Sequence, residues 1–212
     1  MTGARPAEEY YDEYWSGDAP PPLDDPLRGE RVRLLAPRLE RSGARTVLDA
    51  GCGAGALVAE LTAGGLTVTG LDVSGRAIEA ATRAHPESRF LRHSLEEVPW
   101  PVDRGSFDVV VSFEVIEHLL RPRRLLEGAH EALRPGGHLA LTTPYHGLLK
   151  NLVVTALAFD RHFAVEGDHV RFFSDGALRR LLAETGFEVV SLAHFGRFFG
   201  LWAGVFVWAR RL

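Results

Sequence analysis

The sequence predicts an α/β fold, a doubly wound, mostly parallel sheet of seven strands that ends in an antiparallel C-terminal hairpin. Three observations predict it. Short apolar runs rich in β-branched residues alternate with stretches of helical periodicity along most of the chain. The first of these runs leads directly into a glycine-rich turn at residues 51–55. Two further β-rich runs then follow one another near the C-terminal end, with no helix between them. Strands separated by helices join as parallel neighbours through right-handed crossovers, which places helices on both faces of the sheet.

In chain order, residues 1–28 are acidic and aromatic (Tyr10, Tyr11, Tyr14, Trp15) and then proline-rich (Pro20, Pro21, Pro22, Pro26), an N-terminal arm with an extended linker. Residues 29–212 form one domain. It opens with an amphipathic helix over 29–41, in which Val32, Leu34, Leu35 and Leu39 alternate with arginines and Pro37 interrupts the pattern. Strands are expected at 46–50, 66–73, 89–94, 107–113 and 138–144. Helices are expected near 55–63, 75–84, 115–119 with 122–133, and 174–185. Residues 187–211 close the sheet as a hairpin around an aromatic, glycine-containing stretch.

Composition narrows the function. The 212 residues are 46% hydrophobic, enough for one good core, and the net charge of −4 offers no broad basic surface, so no nucleic-acid partner is expected. The single cysteine, Cys52, excludes an internal disulfide and a paired-cysteine metal site, and fits a reducing cytoplasm. No run approaches the roughly 18 apolar residues of a membrane span, though peripheral membrane contact stays open.

Val47-Leu48-Asp49-Ala50-Gly51-Cys52-Gly53-Ala54-Gly55 ends a strand and opens a helix, where residues without side chains let a ligand approach the backbone. Asp72 ends the next strand, 17 residues after Gly55, and is placed to accept hydrogen bonds from ribose hydroxyls. Gly51, Gly53 and Ala56 also satisfy a dinucleotide-binding spacing, so glycines alone leave a nicotinamide enzyme open.

Val47 to Gly55, with Leu71-Asp72-Val73-Ser74, resembles motifs I and II of class I S-adenosylmethionine-dependent methyltransferases, over roughly residues 45–210. The resemblance implies a Rossmann-like fold with S-adenosylmethionine as cofactor. It implies that Asp49 helps hold the methionine end, that Gly51, Gly53 and Gly55 form the loop beneath the cofactor, and that Asp72 and Val73 meet the ribose side. Ser94 and Leu95 fall in the loop that contacts adenine, Ser94 standing where aspartate is usual, and Phe113, at the end of the fourth strand, is a further expected cofactor residue.

Phe113-Glu114-Val115-Ile116-Glu117-His118 follows the fourth strand. If 114–118 form a first helical turn, Glu114, Glu117 and His118 share one face, at the sheet edge where ligands bind. Two carboxylates and an imidazole there suit Mg²⁺ or Mn²⁺, or merely complement a helix dipole. The run resembles the ExxEH motif of metal-dependent O-methyltransferases, both the ubiquinone-pathway type and the small-RNA 2′-O type. That resemblance implies metal ligation by Glu114, Glu117 and His118 with His169 as a further ligand, and a catalytic His118 oriented by Glu117. His130, His138 and His194 read as structural.

On the substrate side, residues 144–168 form an insert that is apolar from Leu148 to Phe159. It is open to four readings: a lid, a membrane-surface helix, a homodimer contact or a plain core helix. Tyr145 and His146 at its start, and Tyr14 and Trp15 in the arm, are expected to meet the acceptor, with Phe195, Phe198, Phe199 and Trp202 as further candidates for its wall. The expected activity is metal-assisted O-methylation of a small or lipid-like acceptor bearing a catechol or vicinal diol. The alternatives are a metal-independent O-, N- or C-methyltransferase, an RNA 2′-O-methyltransferase, and a non-catalytic cofactor-binding partner.

Overall fold

The structure, a computed structural model, describes residues 7–16, 26–157, 170–196 and 201–212. Helix α1 (Ala7–Tyr14) precedes α2 (Arg28–Ser42). Strand and helix then alternate: β1 (Thr46–Ala50), α3 (Ala56–Ala63), β2 (Thr67–Asp72), α4 (Gly75–Ala84), β3 (Arg89–Arg92) and β4 (Phe107–Phe113). A single 3₁₀ turn (Ile116–His118) leads to α5 (Pro122–Ala132), β5 (Leu133–Pro144), α6 (Leu148–Leu157), α7 (Asp175–Glu184), β6 (Phe187–Phe195) and β7 (Gly204–Arg211).

One seven-stranded sheet runs in the order β3-β2-β1-β4-β5-β7-β6. The first five strands pair in parallel, and β7 lies antiparallel between β5 and β6. Chain direction across the sheet reverses between β1 and β4, so the loops after these two strands open onto one crevice, the usual ligand position in such sheets. The expected fold class is the one observed.

Side chains alternate across the sheet with the two-residue period of a strand. On one face Val47, Val109, Val111, Ala140, Phe206 and Trp208 meet α2 and α3. On the other Leu48, Val110, Leu139, Leu141, Val205 and Val207 meet α5 and α7.

Pro37 does not interrupt α2, which runs unbroken from Arg28 to Ser42. Leu35 and Leu39 on either side of it are both buried on the sheet, so tertiary packing carries the helix through the lost amide bond. The helix ends where Gly43, at φ 64°, donates to the Glu40 and Leu39 carbonyls. Helices α4 and α7 each start on a serine, Ser74 and Ser174, whose hydroxyl accepts an amide three residues on.

Helix α6 is not a core helix. Leu148, Leu149, Leu152 and Leu157 are exposed, and its one buried residue is Lys150, whose Nζ donates to the Tyr145 carbonyl at 2.7 Å. No helix among the described residues is long and apolar enough to cross a membrane.

Candidate functional site

Strand β1 ends in a turn held against β2, with the amides of Gly51 and Cys52 donating to the Leu71 carbonyl at 2.7 and 3.1 Å. Two glycines here are required by sterics. Gly51 has φ 92°, and a Cβ on it would fall 2.4 Å from Val115 Cγ2; Gly53 has φ 51°, and a Cβ on it would fall 2.8 Å from the Trp15 ring. Gly55, at φ 82°, caps α3. Asp72 ties the turn to the next strand: its Oδ2 accepts the Gly53 amide and its Oδ1 the Ser74 amide, both at 2.9 Å.

Two acids therefore meet at one end of the sheet. Burial, then the charge of Asp72, pushes the Asp49 carboxyl up to about 7, with the Arg28 charge opposing. Burial also raises Asp72, against the amides of Ser74, Gly53 and Val73. Cys52 is buried beside them, and burial pushes its thiol well up, so it packs as a small apolar residue.

Two cavities flank this turn. The first, about 220 Å³, is lined on one side by Gly51, Gly53, Asp72, Val73, Ser94 and Leu95, and on the other by Tyr11, Glu114, Val115, His118 and Leu119. The second, about 460 Å³, brings Asp49, Arg28, Arg31, Leu57, Phe113 and Glu114 together. Tyr14, Trp15, Gly51 and Glu114 border both. All nine residues expected at the cofactor thus lie at this turn or its cavities, as do Tyr14 and Trp15.

The acidic run after β4 does not form a helical turn from Glu114. Its amide donates to the backbone and side-chain oxygens of Thr142 on β5, at 3.1 and 3.2 Å. That pairing extends the sheet by one residue and forces Glu114 to φ 54°, the single non-glycine in the left-handed region among the described residues. Helical geometry begins only at Ile116. Glu114 therefore stands outside the helical turn that carries Glu117 and His118, although it borders the first cavity together with His118.

Glu114 turns towards Arg31, with Oε1 3.6 Å from Nη1. Glu117 is 1% exposed and accepts the Thr143 hydroxyl at 3.0 Å, while its Oε1 lies 3.9 Å from His118 Nε2, ion-pair range and too long for a hydrogen bond. His118 opens into the first cavity, edge-on to the Tyr11 ring at 6.4 Å. Among the described residues no three His, Cys, Asp or Glu side chains gather as a metal set. His169, like His162, Phe198 and Phe199, lies outside the described residues. The amides of Val170 and Arg171, the first described residues after it, donate to the Glu117 carbonyl.

Tyr145 and His146 border neither cavity. The Tyr145 ring packs against His194 at 4.5 Å, and His146 is buried with Nδ1 3.2 Å from Asn151 Oδ1. Both take part in seating α6 and β6. Phe195 is buried and Trp202 stacks on His194, so these two aromatics pack structure. His130 packs edge-on to Phe187, His138 stacks on Trp208, and His194 contacts the Asp175 carboxylate at 3.1 Å.

Arg31 is a further candidate residue that motifs alone do not single out. It is 5% exposed and shares the second cavity with Asp49 and Glu114. Residues 31, 35 and 39 fall on one helix face at four-residue spacing. An arginine in line with two core leucines was the available signal.

Comparison with known proteins agrees with this geometry. A family model described as a methyltransferase domain matches residues 23–192. The chain is 33% identical over 134 residues to the ubiquinone biosynthesis O-methyltransferase of Xanthomonas axonopodis pv. citri, covering 61% of this chain and 55% of that protein. It is 36% identical over 118 residues to the mitochondrial ubiquinone biosynthesis O-methyltransferase of Schizosaccharomyces pombe, covering 54% and 43%. The chain thus spans about half the length of the curated relatives it matches. Among solved structures, magnesium protoporphyrin IX methyltransferase from Synechocystis PCC 6803 with bound SAH superposes with TM-score 0.71 at 17% identity, over 97% of this chain and 98% of that one. The methyltransferase in complex with the Haloferax volcanii Trm112 activator gives 0.68 at 18% identity, over 89% and 92%. With a family model matching most of its length and solved methyltransferases sharing its fold, this chain belongs to the methyltransferase-domain family, of the class I S-adenosylmethionine-dependent type.

Proposed function

We propose that this protein transfers a methyl group from S-adenosylmethionine to a hydroxyl of a small aromatic or lipid-like acceptor. The observation that carries the reading is that one cavity is bordered by the Asp72 and glycine cradle on one side and by His118, Tyr11 and Leu119 on the other. The O-methylating relatives support it over the length they share.

The residues fit the cofactor: a Cβ on Gly51 or Gly53 would fill the cradle, Asp72 stands at its ribose side, and the buried Arg31 offers a guanidinium to a carboxylate. Bound S-adenosylmethionine supplies a methyl group that is already electrophilic. The protein's own task is to align the acceptor oxygen and take its proton. The His118 imidazole, facing the cavity, accepts that proton, and the buried Glu117 carboxylate favours the imidazolium that forms. Tyr11, Val115 and Leu119 provide an apolar wall that suits a flat or lipid-like acceptor.

The ExxEH motif implies a divalent cation held by Glu114, Glu117, His118 and His169. A cation there would share Glu114 with Arg31 and Glu117 with the Thr143 hydroxyl. No step is routed through it.

Calorimetric titration of S-adenosylhomocysteine tests the cofactor site, and turnover of radiolabelled methyl onto catechols, with and without chelator, tests the acceptor. Methylation that survives chelation supports His118 as the base. Failure to bind S-adenosylhomocysteine overturns the reading, and chelator-sensitive turnover restored by Mg²⁺ reinstates the cation.

A further inference from the structure

Asp72 is connected through Ser74 to the arm. Ser74 is fully buried; its amide donates to Asp72, and its hydroxyl accepts the Ala77 amide as the cap of α4. The same hydroxyl donates to Asp12 Oδ1 on α1 at 2.6 Å. Asp12 also accepts the Arg76 amide at 3.3 Å and lies 3.8 Å from the Arg92 guanidinium, which pairs with Glu8 as well. The Ser74 hydrogen bond, more than any other contact, holds the Asp12 carboxyl below the usual carboxylate range.

Three residues further on, Trp15 covers the glycine turn, and Tyr11, one turn before Trp15 on the same side of α1, packs edge-on to His118. Among the regular elements α1 packs mainly on α4, the helix whose cap Asp12 binds.

We propose that Asp12 is a positioning residue for the cofactor: bonded to Ser74, it seats α1 with Trp15 over the glycine turn, so that cofactor release requires the Asp12–Ser74 bond to break. This rests on the reading of the cradle as a cofactor site. A surface carboxylate pair would contribute little, but the donor here is a buried hydroxyl whose own backbone holds the ribose-side acid, and a hydrogen bond to a charged group is among the stronger kinds.

The test is S-adenosylhomocysteine binding to the full chain, by calorimetry for Kd and stopped-flow displacement for the off-rate. Asp12→Ala is expected to raise both about tenfold with the on-rate unchanged. The thermal midpoint of the ligand-free protein should stay within about a degree of the parent, since α1 buries little core. Glu8→Gln removes the neighbouring ion pair with Arg92 but leaves Ser74 engaged, and its Kd is expected within about twofold of the parent. Parental Kd and off-rate in Asp12→Ala overturn the proposal. An equal effect from Glu8→Gln also does so, by assigning the docking to Arg92, as does a midpoint that falls in step with affinity. If the parent chain itself does not bind S-adenosylhomocysteine, the cofactor reading fails and this proposal fails with it; normal binding by the parent with an unaffected Asp12→Ala sinks the latch alone.

Discussion

Nη1 of Arg31 lies 3.6 Å from Oε1 of Glu114, and the two side chains face a cavity that also holds Asp49. Burial lowers the Arg31 pKa while the charges of Glu114 and Glu117 raise it, so the guanidinium depends on nearby acids to remain inside. A buried guanidinium beside Asp49 has the charge and geometry to receive the carboxylate of an amino-acid ligand.

Arg31→Met keeps the reach of the side chain and removes its charge. The affinity for S-adenosylhomocysteine should fall at least about tenfold, ~1.4 kcal/mol. Binding of 5′-methylthioadenosine, which lacks the amino-acid end, should hardly change. Calorimetry with both ligands checks this, and equal losses would place Arg31 in the scaffold instead.

With the Asp49 carboxyl at about 7, cofactor affinity should depend on pH. An ammonium group is better held by the carboxylate, so affinity should rise between pH 6 and 8, and binding near pH 7 should release protons. Titration in two buffers of different ionisation enthalpy measures that release. The stability effect has the opposite direction. The folded pKa lies above the unfolded value of 3.8, so the contribution is fully present below about pH 4 and is lost as pH rises through 7. Asp49→Asn should therefore raise the thermal midpoint more at pH 8 than at pH 5.

His118→Ala should lower kcat by about a hundredfold or more, the scale of a lost general base, while S-adenosylhomocysteine binds as in the parent. Glu117→Gln should give a smaller loss of kcat, because the imidazolium that forms loses its neighbouring charge. A parallel loss of cofactor affinity in His118→Ala would remove this division of roles.

Gly53→Ala should cost about 1–2 kcal/mol of stability from its left-handed backbone alone. The new methyl group would also press on the Trp15 ring. Thermal unfolding should report the first effect and indole fluorescence the second; a parental fluorescence maximum would argue against the Trp15 contact.

The sheet was readable because strand and helix periods are strong local signals: β1, β4 and α4 fall on the expected residues. The cofactor turn was readable for a related reason, since glycines and acids at a strand end have few other uses. Three features were not. Pro37 was misread because burial of Leu35 and Leu39 outweighs a local penalty. Glu114 was misread because its conformation is imposed by Thr142 on a neighbouring strand, 28 residues away. The packing of Tyr145 on His194 and the contact of His146 with Asn151 were not legible because both are set by the tertiary arrangement of α6 and β6.

The position of β7 bears on how the chain acquires its structure. It is the last strand in chain order, yet it fills the gap between β5 and β6 and pairs along nearly its whole length with both. Until residues 204–211 leave the ribosome, β5 presents an open edge of unpaired amides beside Leu139 and Leu141, a template that other chains can join. The half-sheet with the glycine turn is complete in sequence by β4, so the open edge of β5 is the part of the sheet protected latest.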